Sequence, residues 1–284
     1  MPEISVVIIT FNGKGFITSC LDSVYSQSYR DFEVIVTDNG SSDGTADFIK
    51  ENYPSVALIE NRQNLGSCKA RNQGIEKAQG VWILTLDCDV VLEKDFLDKI
   101  IDFAKRQEER VGIFSPKILK NDKKTIYSCG IYLSKSRRFY DIGSGKTDDG
   151  KFDKAKYIFG ACSAAAVYKK EMLESVKEET GYFDERFFFL VEDVDLSWRS
   201  QRKGWKSLYF PQAACCHSGN SSRYDKKIKQ YLSFRNRYFM IIKNERFTQL
   251  LRNIPFMFVY DLSRLFYLAF TNRKALKAFG EITR

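Results

Sequence analysis

Val81-Trp82-Ile83-Leu84-Thr85-Leu86-Asp87-Cys88-Asp89 is an apolar run of strand length that stops on two carboxylates. A short continuous apolar stretch of this kind, rich in β-branched and aromatic residues, predicts a buried strand. Carboxylates at i and i+2, where such a strand meets its exit loop, cannot both be core groups, because an unpaired ionised carboxylate in an apolar interior is very costly. They call for a cation, and Mg²⁺ is commonly held by one or two carboxylates together with substrate phosphates. A strand end that turns into solvent explains the same triplet, and the triplet alone does not choose.

Working outward from it, short β-branched runs alternate with longer helical patterns. They are Ile4–Ile9, a helix around Ile17–Gln27, Phe32–Thr37, a helix around Thr45–Glu51, Val56–Glu60, a helix around Cys68–Ala78, and then Val81–Leu86. This βαβα rhythm predicts an α/β fold, a Rossmann-like, doubly wound and mostly parallel sheet with helices on both faces. Ligands on such sheets bind beyond the carboxyl ends of the strands. Polar clusters stand there: Thr10-Phe11-Asn12-Gly13, Asp38-Asn39-Gly40-Ser41-Ser42-Asp43-Gly44 and Asp87-Cys88-Asp89. Three loops are expected to converge on one edge.

The 284 residues exceed one typical domain length, yet α/β folds of this size commonly form one unit, so a large domain with an appendage is expected. A net charge of +9 points to an anionic partner: nucleic acid, a phosphorylated small molecule or an anionic membrane surface. The seven cysteines include the adjacent pair Cys215-Cys216 but no C-x-x-C spacing. Structural zinc is therefore not expected, and the odd count argues for a reducing cytosol. Met1-Pro2-Glu3 leads directly into the first apolar run, without the basic start or cleavage region of a secretory signal. No run of about 18 uncharged apolar residues exists. The nearest approach, Ile254–Phe270, is broken by Asp261 and Arg264.

Lys120–Lys156, charged and glycine-containing with weak periodicity, reads as a hairpin or mobile loop over the site, or as a plain surface excursion. Tyr157–Val167 reads as one strand of small residues, suited to close backbone approach by a ligand or to tight packing on a helix. Beyond Asn220 basic and aromatic residues recur at helical spacing over Tyr224–Asn244, and Phe247–Gly280 continues with Pro255 placed where a helix can begin. The expected division is a catalytic domain over residues 1–222 and a helical appendage over 223–284. The appendage has a broad apolar face of Phe256, Phe258, Val259, Leu262, Leu265, Phe266, Leu268, Ala269 and Phe270, surrounded by Arg246, Arg252, Arg264, Arg273, Lys274 and Lys277. Such a helix can lie in a bilayer interface through apolar burial and attraction to anionic lipid, or dock on the main core or in a dimer.

A second acidic cluster, Glu192-Asp193-Val194-Asp195, follows the apolar run Phe187-Phe188-Phe189-Leu190-Val191 and reads as a helix amino terminus beneath a pocket wall. Glu192 and Asp195 can then meet the helix dipole or Arg199, which leaves Asp193 facing a cavity as a candidate general base. His217, the only histidine, closes the apolar run Leu208–Cys216. A lone histidine is more often structural than a ligand, but at a strand end near the same pocket it would complete a metal site with Asp89, its nitrogen favouring Mn²⁺ somewhat over Mg²⁺.

Taken together these residues resemble inverting glycosyltransferase family 2, with the GT-A fold. The resemblance runs from about Ile4 to Ser222 and rests on five motifs in the family's order. They are Ser5–Asn12, Val36–Thr45, Asn64-Leu65-Gly66 with Ala70-Arg71-Asn72-Gln73-Gly74, Leu86-Asp87-Cys88-Asp89, and Glu192-Asp193. Carried over, it implies that Thr10, Phe11 and Asn12 line a nucleotide pocket, that Asp38 hydrogen-bonds the base, and that Arg71 lies near base and phosphate. It further implies that Asp87 contacts the ribose or the metal's water shell, that Asp89 binds a Mg²⁺ or Mn²⁺ ion, and that Asp193 is the catalytic base. His217 resembles the further metal ligand of members that add rhamnose or galactofuranose.

The implied activity is transfer of a sugar from a nucleoside-diphosphate sugar, dTDP-rhamnose or a UDP-hexose, to a glycan or lipid-linked acceptor in cell-surface polysaccharide synthesis. The implied setting is cytoplasmic and peripheral on the inner face of the cell membrane, with no nucleic-acid partner. Gln201-Arg202-Lys203-Gly204-Trp205 departs from the Gln-x-x-Arg-Trp sequence of the family's processive synthases, so single addition or short extension is expected. Arg235 and Arg237 could add positive charge near the diphosphate. A sugar nucleotidyltransferase would need a glycine-rich phosphate loop after the first strand, where Thr10-Phe11-Asn12-Gly13-Lys14-Gly15 is too short and too poor in glycine. A non-catalytic membrane-surface binding protein would leave the acidic triplets without purpose.

Overall fold

The computed structural model describes residues 1–219 and 224–282. Its first half alternates β1 (Ile4–Thr10), α1 (Lys14–Tyr25), β2 (Phe32–Asp38), α2 (Thr45–Asn52), β3 (Ala57–Glu60), α3 (Ser67–Lys77) and β4 (Trp82–Asp87). The strands pair in parallel in the order β3-β2-β1-β4. Buried on both faces, β1, β2 and β4 are near-continuous apolar runs, as central parallel strands must be. Register sets Thr10 beside Asp38 and Ile9 beside Asp87, so the polar strand ends stop at one edge of the sheet.

The second half extends that sheet through β5 (Val90–Leu92), α4 (Phe96–Lys105), β6 (Val111–Leu119), β7 (Ile126–Ser128), β8 (Ile131–Leu133), β9 (Phe139–Asp141), β10 (Lys156–Ile158), β11 (Ala165–Lys169), α5 (Lys170–Val176), α6 (Glu192–Arg202) and β12 (Lys206–His217). The full order is β10-β12-β6-β11-β4-β1-β2-β3, with β11 antiparallel to both neighbours and β12 parallel to β6. Tyr157–Val167 is not one strand. It divides into β10 and β11 because the chain between them turns inward, where Gly160 packs so closely on Ser197 that a Cβ would sit 2.0 Å from its hydroxyl. The excursion over residues 120–156 contains the antiparallel hairpin β8-β9, which stands over the site.

Beyond the sheet lie α7 (Lys226–Asn244), α8 (Phe247–Thr271), a 3-10 turn at Arg273–Ala278 and α9 (Phe279–Ile282). The expected domain boundary at 222/223 lies outside the described residues. Pro255 does not begin a helix but sits inside α8, where its missing N–H leaves one turn without its hydrogen bond. The expected apolar face of α8 divides. Leu268 and Leu265 pack with Phe234 in a small core, Met257 joins the main core, and Phe258, Val259, Leu262, Phe266 and Phe270 remain exposed. No helix among the described residues is long and apolar enough to cross a membrane. All seven cysteines are free, and Cys20, Cys68, Cys88, Cys129 and Cys215 are buried, with thiols pushed up by desolvation and therefore inert.

Candidate active site

Two adjoining cavities open at the sheet edge and share Arg71, Asp87 and Phe189 in their walls. The first is lined by Ile9, Thr10, Phe11, Asn39, Asn64, Ser67, Cys88 and Tyr224. The turn after β1 shapes its floor. Asn12 adopts a left-handed conformation (φ 51°), and Gly13 is required because a Cβ there would meet the Thr10 hydroxyl at 2.3 Å. Asn12 and Asp38 do not line the cavity but build the loops beneath it. Asn12 Oδ1 accepts from the Ser42 amide at 2.8 Å, and Asp38 Oδ1 accepts from the amides of Gly40 and Ser41 at 3.2 and 2.9 Å. Asp38 Oδ2, also buried, has no hydrogen-bond partner among the described residues.

Asn39 ties that loop to the start of α3. Its amide donates to Asn64 Oδ1 and to the Gly66 carbonyl, and its oxygen accepts from the Leu65 amide and Asn61. Arg71, projecting from α3 and buried, bridges two carboxylates, with Asp87 at 2.6 Å and Glu192 at 3.1 Å. Glu192 therefore pairs with Arg71 and the Ser67 hydroxyl, and not with Arg199, which pairs with Asp195 at 2.8 Å. Burial raises the Asp87 carboxyl above its usual range against the opposing pull of Arg71 and His217. Arg71→Met would leave two carboxylates facing each other without a cation. Loss of one partner of a buried pair typically costs about 3–5 kcal/mol, which urea unfolding of the variant should register.

The second cavity holds Asp193, Asp141, Tyr127, Ser163 and His217 around the same Arg71 and Asp87. The β12–β5 register sets His217 opposite Val90, immediately after Asp89. His217 Nε2 lies 3.2 Å from Asp89 Oδ1 and 3.9 Å from Asp87 Oδ2. One potential ligand atom from each of Asp87, Asp89 and His217 falls within 4.8 Å of the others. Magnesium–oxygen distances near 2.1 Å let two ligands of one ion stand up to about 4.2 Å apart, so the two histidine–carboxylate separations suit a shared divalent ion. The Ser218 hydroxyl, donating to Asp89 Oδ2 at 2.6 Å, and the Tyr127 ring, edge-on to the imidazole at 4.4 Å, orient this set. Burial opposes protonation of His217, yet the hydrogen bond to Asp89 and the charges of Asp87, Asp89 and Asp141 hold its pKa above the usual value.

Asp193 is the second residue of α6, entered through an unusual turn. Phe188, Leu190 and Val191 all have positive φ, of 64°, 70° and 75°. Each such non-glycine residue costs about 1–3 kcal/mol and persists only where its surroundings over-determine it. Here Asn236 of α7 places its amide nitrogen 2.8–2.9 Å from the carbonyls of Phe187, Phe189 and Leu190, and Ser67 donates its amide to the Phe188 carbonyl at 2.7 Å. Gly66 makes room, since a Cβ there would lie 2.6 Å from that carbonyl. Burial, then the charges of Glu192 and Asp141, push Asp193 up to about 8.

The structure thus brings Thr10, Phe11, Arg71, Asp87, Asp89, Asp193 and His217 together, with Asn12 and Asp38 one layer below. Arg235 and Arg237 are elsewhere. Arg235 donates to the carbonyls of Arg186 and Phe187, and Arg237 is fully buried against Asp261 and the carbonyls of Ser136 and Arg137. Sequence reasoning missed Asp141, Tyr127, Tyr224, Asn39 and Ser67. Asn39 and Ser67 stood inside or beside quoted motifs, whereas Asp141 and Tyr127 come from the weakly patterned excursion and carried no signal.

The model of the family described as glycosyl transferase family 2 matches residues 5–177. N-acetylglucosaminyl-diphospho-decaprenol L-rhamnosyltransferase of Mycobacterium tuberculosis is 26% identical over 241 residues, covering 75% of this chain and 75% of its own. Among solved structures, TarS of S. aureus superposes with a TM-score of 0.60 at 17% identity over 87% of this chain, which spans 40% of that longer one. A mannosyltransferase from Pyrobaculum calidifontis, in complex with GDP-Man and Mn²⁺, gives a TM-score of 0.60 at 18% identity over 99% of this chain and 74% of its own. At such identities the structural likeness speaks for the fold.

Proposed function

This chain belongs to glycosyl transferase family 2, and from that premise we propose that it is an inverting, metal-dependent glycosyltransferase carrying a sugar from a nucleoside-diphosphate donor to a lipid-linked or glycan acceptor hydroxyl in cell-surface glycan synthesis. The observation that carries the reading is the junction of the two cavities at Arg71 and Asp87. The loops after β1 and β2 lie on one side of that junction and the half-buried carboxylate of Asp193 on the other.

In this reading the nucleoside occupies the cavity of Thr10 and Phe11, above the loop that Asp38 and Asn12 shape, and its diphosphate extends past Asp87 and Arg71. A divalent ion held by Asp89 and His217, with Asp87 beside it, would supply charge stabilisation for the departing diphosphate. Asp193 accepts the proton of the acceptor hydroxyl while that oxygen bonds to the anomeric carbon from the face opposite the diphosphate. The anomeric carbon–oxygen bond breaks with its electron pair going to the diphosphate, so configuration inverts in one displacement. The raised carboxyl suits the role, because a base is most effective near the working pH. The rhamnosyltransferase named above supports a dTDP-rhamnose donor ahead of a UDP-hexose, as does the histidine in the metal set.

The deciding experiment is a thermal-shift panel of nucleoside diphosphate sugars with Mg²⁺ or Mn²⁺. A donor that binds the native state at about 100 times its Kd stabilises it by about 2.7 kcal/mol. We expect dTDP-rhamnose with Mn²⁺ to give the largest rise in Tm. Equal, metal-independent shifts for every nucleotide sugar would defeat the assignment.

The exposed side of α8 supports peripheral attachment to the inner face of the membrane. Phe258, Leu262, Phe266 and Phe270 are 58–73% exposed in one stripe, flanked by basic residues. Apolar patches of this kind with cationic borders bind anionic bilayers. In a flotation assay the full chain should rise with vesicles containing anionic lipid, and a chain lacking residues 247–284 should stay with the soluble fraction. Equal flotation of both would rule out this helix as the anchor.

A further inference from the structure

Between α7 and α8 lies a cleft of about 680 Å³, within the range of roughly 300–1,000 Å³ that ligand sites occupy. Lys226, Lys229 and Arg264 line it together with Tyr224, Tyr260 and Tyr267, and no carboxylate is among the described residues that line it. Arg264 is half-buried. It donates to the Ser233 hydroxyl at 3.1 Å and lies 5.3 Å over the Phe234 ring, both of them neutral partners. Three cations around one concavity create a positive potential that concentrates anions, and lysine and arginine are the side chains that hold phosphate oxygens.

The cleft is continuous with the active site. Leu190 and Lys229 line both the cleft and the cavity of Asp193, and Tyr224 lines both the cleft and the nucleotide pocket. The metal-side residues Asp89 and His217 do not reach it, so the donor's diphosphate is not its occupant. On its outer wall α8 turns Tyr260, Arg264 and Tyr267 inward while Phe258, Leu262 and Phe266 face outward. An anion with a long apolar tail matches both faces of that helix.

We propose that this cleft binds the diphosphate of a polyprenyl-diphosphate-linked acceptor, with Lys226, Lys229 and Arg264 on the phosphate oxygens and the acceptor sugar reaching past Leu190 to Asp193. The inference rests on the glycosyltransferase reading and names the acceptor's anchoring group and its subsite. The tyrosines flank the first isoprene units, and the lipid passes along α8 to the bilayer.

The test measures binding of farnesyl diphosphate to the full-length protein by calorimetry, without donor, in the wild type and in K226Q/K229Q, with inorganic pyrophosphate, farnesol and anionic phospholipid vesicles as separate arms. The expected result is at least a tenfold loss of farnesyl diphosphate affinity in the variant and recovery in K226R/K229R. Wild-type binding of pyrophosphate and of farnesol should each be at least tenfold weaker than that of farnesyl diphosphate. Unchanged affinity in K226Q/K229Q overturns the proposal, as does pyrophosphate binding as tightly as farnesyl diphosphate, or full displacement of farnesyl diphosphate by anionic vesicles. Titration of the same proteins with the donor found in the thermal-shift panel separates the two readings. Donor affinity retained in K226Q/K229Q assigns any loss to the acceptor side, whereas absence of donor binding in the wild type would count against the glycosyltransferase reading itself.

Discussion

Asp193→Asn is expected to lower kcat by about 10²- to 10⁴-fold, the usual contribution of a positioned general base, while leaving donor affinity within a factor of two. The substitution keeps the shape and one of the two backbone N–H contacts, from Ser163 or from Val194, and removes the ability to take a proton. The pH profile supplies the sign. Burial and the neighbouring Glu192 and Asp141 raise this carboxyl to about 8, so below that pH the group is mostly protonated and unable to act as a base. Wild-type kcat/KM, which reports the free enzyme, should therefore rise about tenfold per unit up to pH about 8 and level off above it. In Asp193→Asn that limb should disappear. A variant that kept both the turnover and the rising limb would exclude Asp193 as the base.

Asp89→Ala should have an effect of similar size by a different route. Asp89 is buried, receives the Ser218 hydroxyl and faces His217 Nε2, so its loss removes the carboxylate at the centre of the ligand set. A fall on the order of 10³-fold in kcat is expected, comparable to loss of a major electrostatic stabiliser of a developing anion. Direct Mn²⁺ titration by electron paramagnetic resonance tests this, on variants whose circular dichroism spectrum and Tm match the wild type and so exclude misfolding. The wild type should bind one ion tightly, Asp89→Ala none, and His217→Ala an intermediate case with weakened affinity. Equal Mn²⁺ binding in all three proteins would remove the metal assignment without touching that of Asp193.

Local pattern made the parallel half of the sheet legible. Each of β1, β2 and β4 is an apolar run long enough to identify itself, and the polar residues that follow each run are also the ones that meet in space. The triplet at Asp87–Asp89, His217 and Asp193 could be assembled because all three stand where an apolar run ends. Other parts lacked such marks. Tyr157–Val167 is uniformly apolar, and its break depends on the distant contact between Gly160 and Ser197. Asp141 gains its place from the β8–β9 hairpin folding back over the site, a pairing of short segments with no periodicity to announce it. Arg235 and Arg237 looked like anion binders because their charges are visible in sequence, whereas the carbonyls and the Asp261 carboxylate that engage them are visible only once the chain is folded.

The turn at Phe188–Val191 has a practical consequence for anyone who wishes to dissect this protein. Its left-handed residues are held from outside, chiefly by Asn236 and Arg235 of α7, and the same turn aims the first residues of α6. A minimal catalytic fragment must therefore retain the chain through Asn244, since cutting ahead of α7 would release a compressed spring and let the base swing out of line. A cut in the short link between Asn244 and Phe247 would spare those contacts but take Asp261 from the fully buried Arg237 of α7 and Met257 from the main core, so α7 itself would lose its seat. The helices after the sheet are therefore a brace for the site before they are anything else, and the chain has no joint at which they could be removed without slackening it.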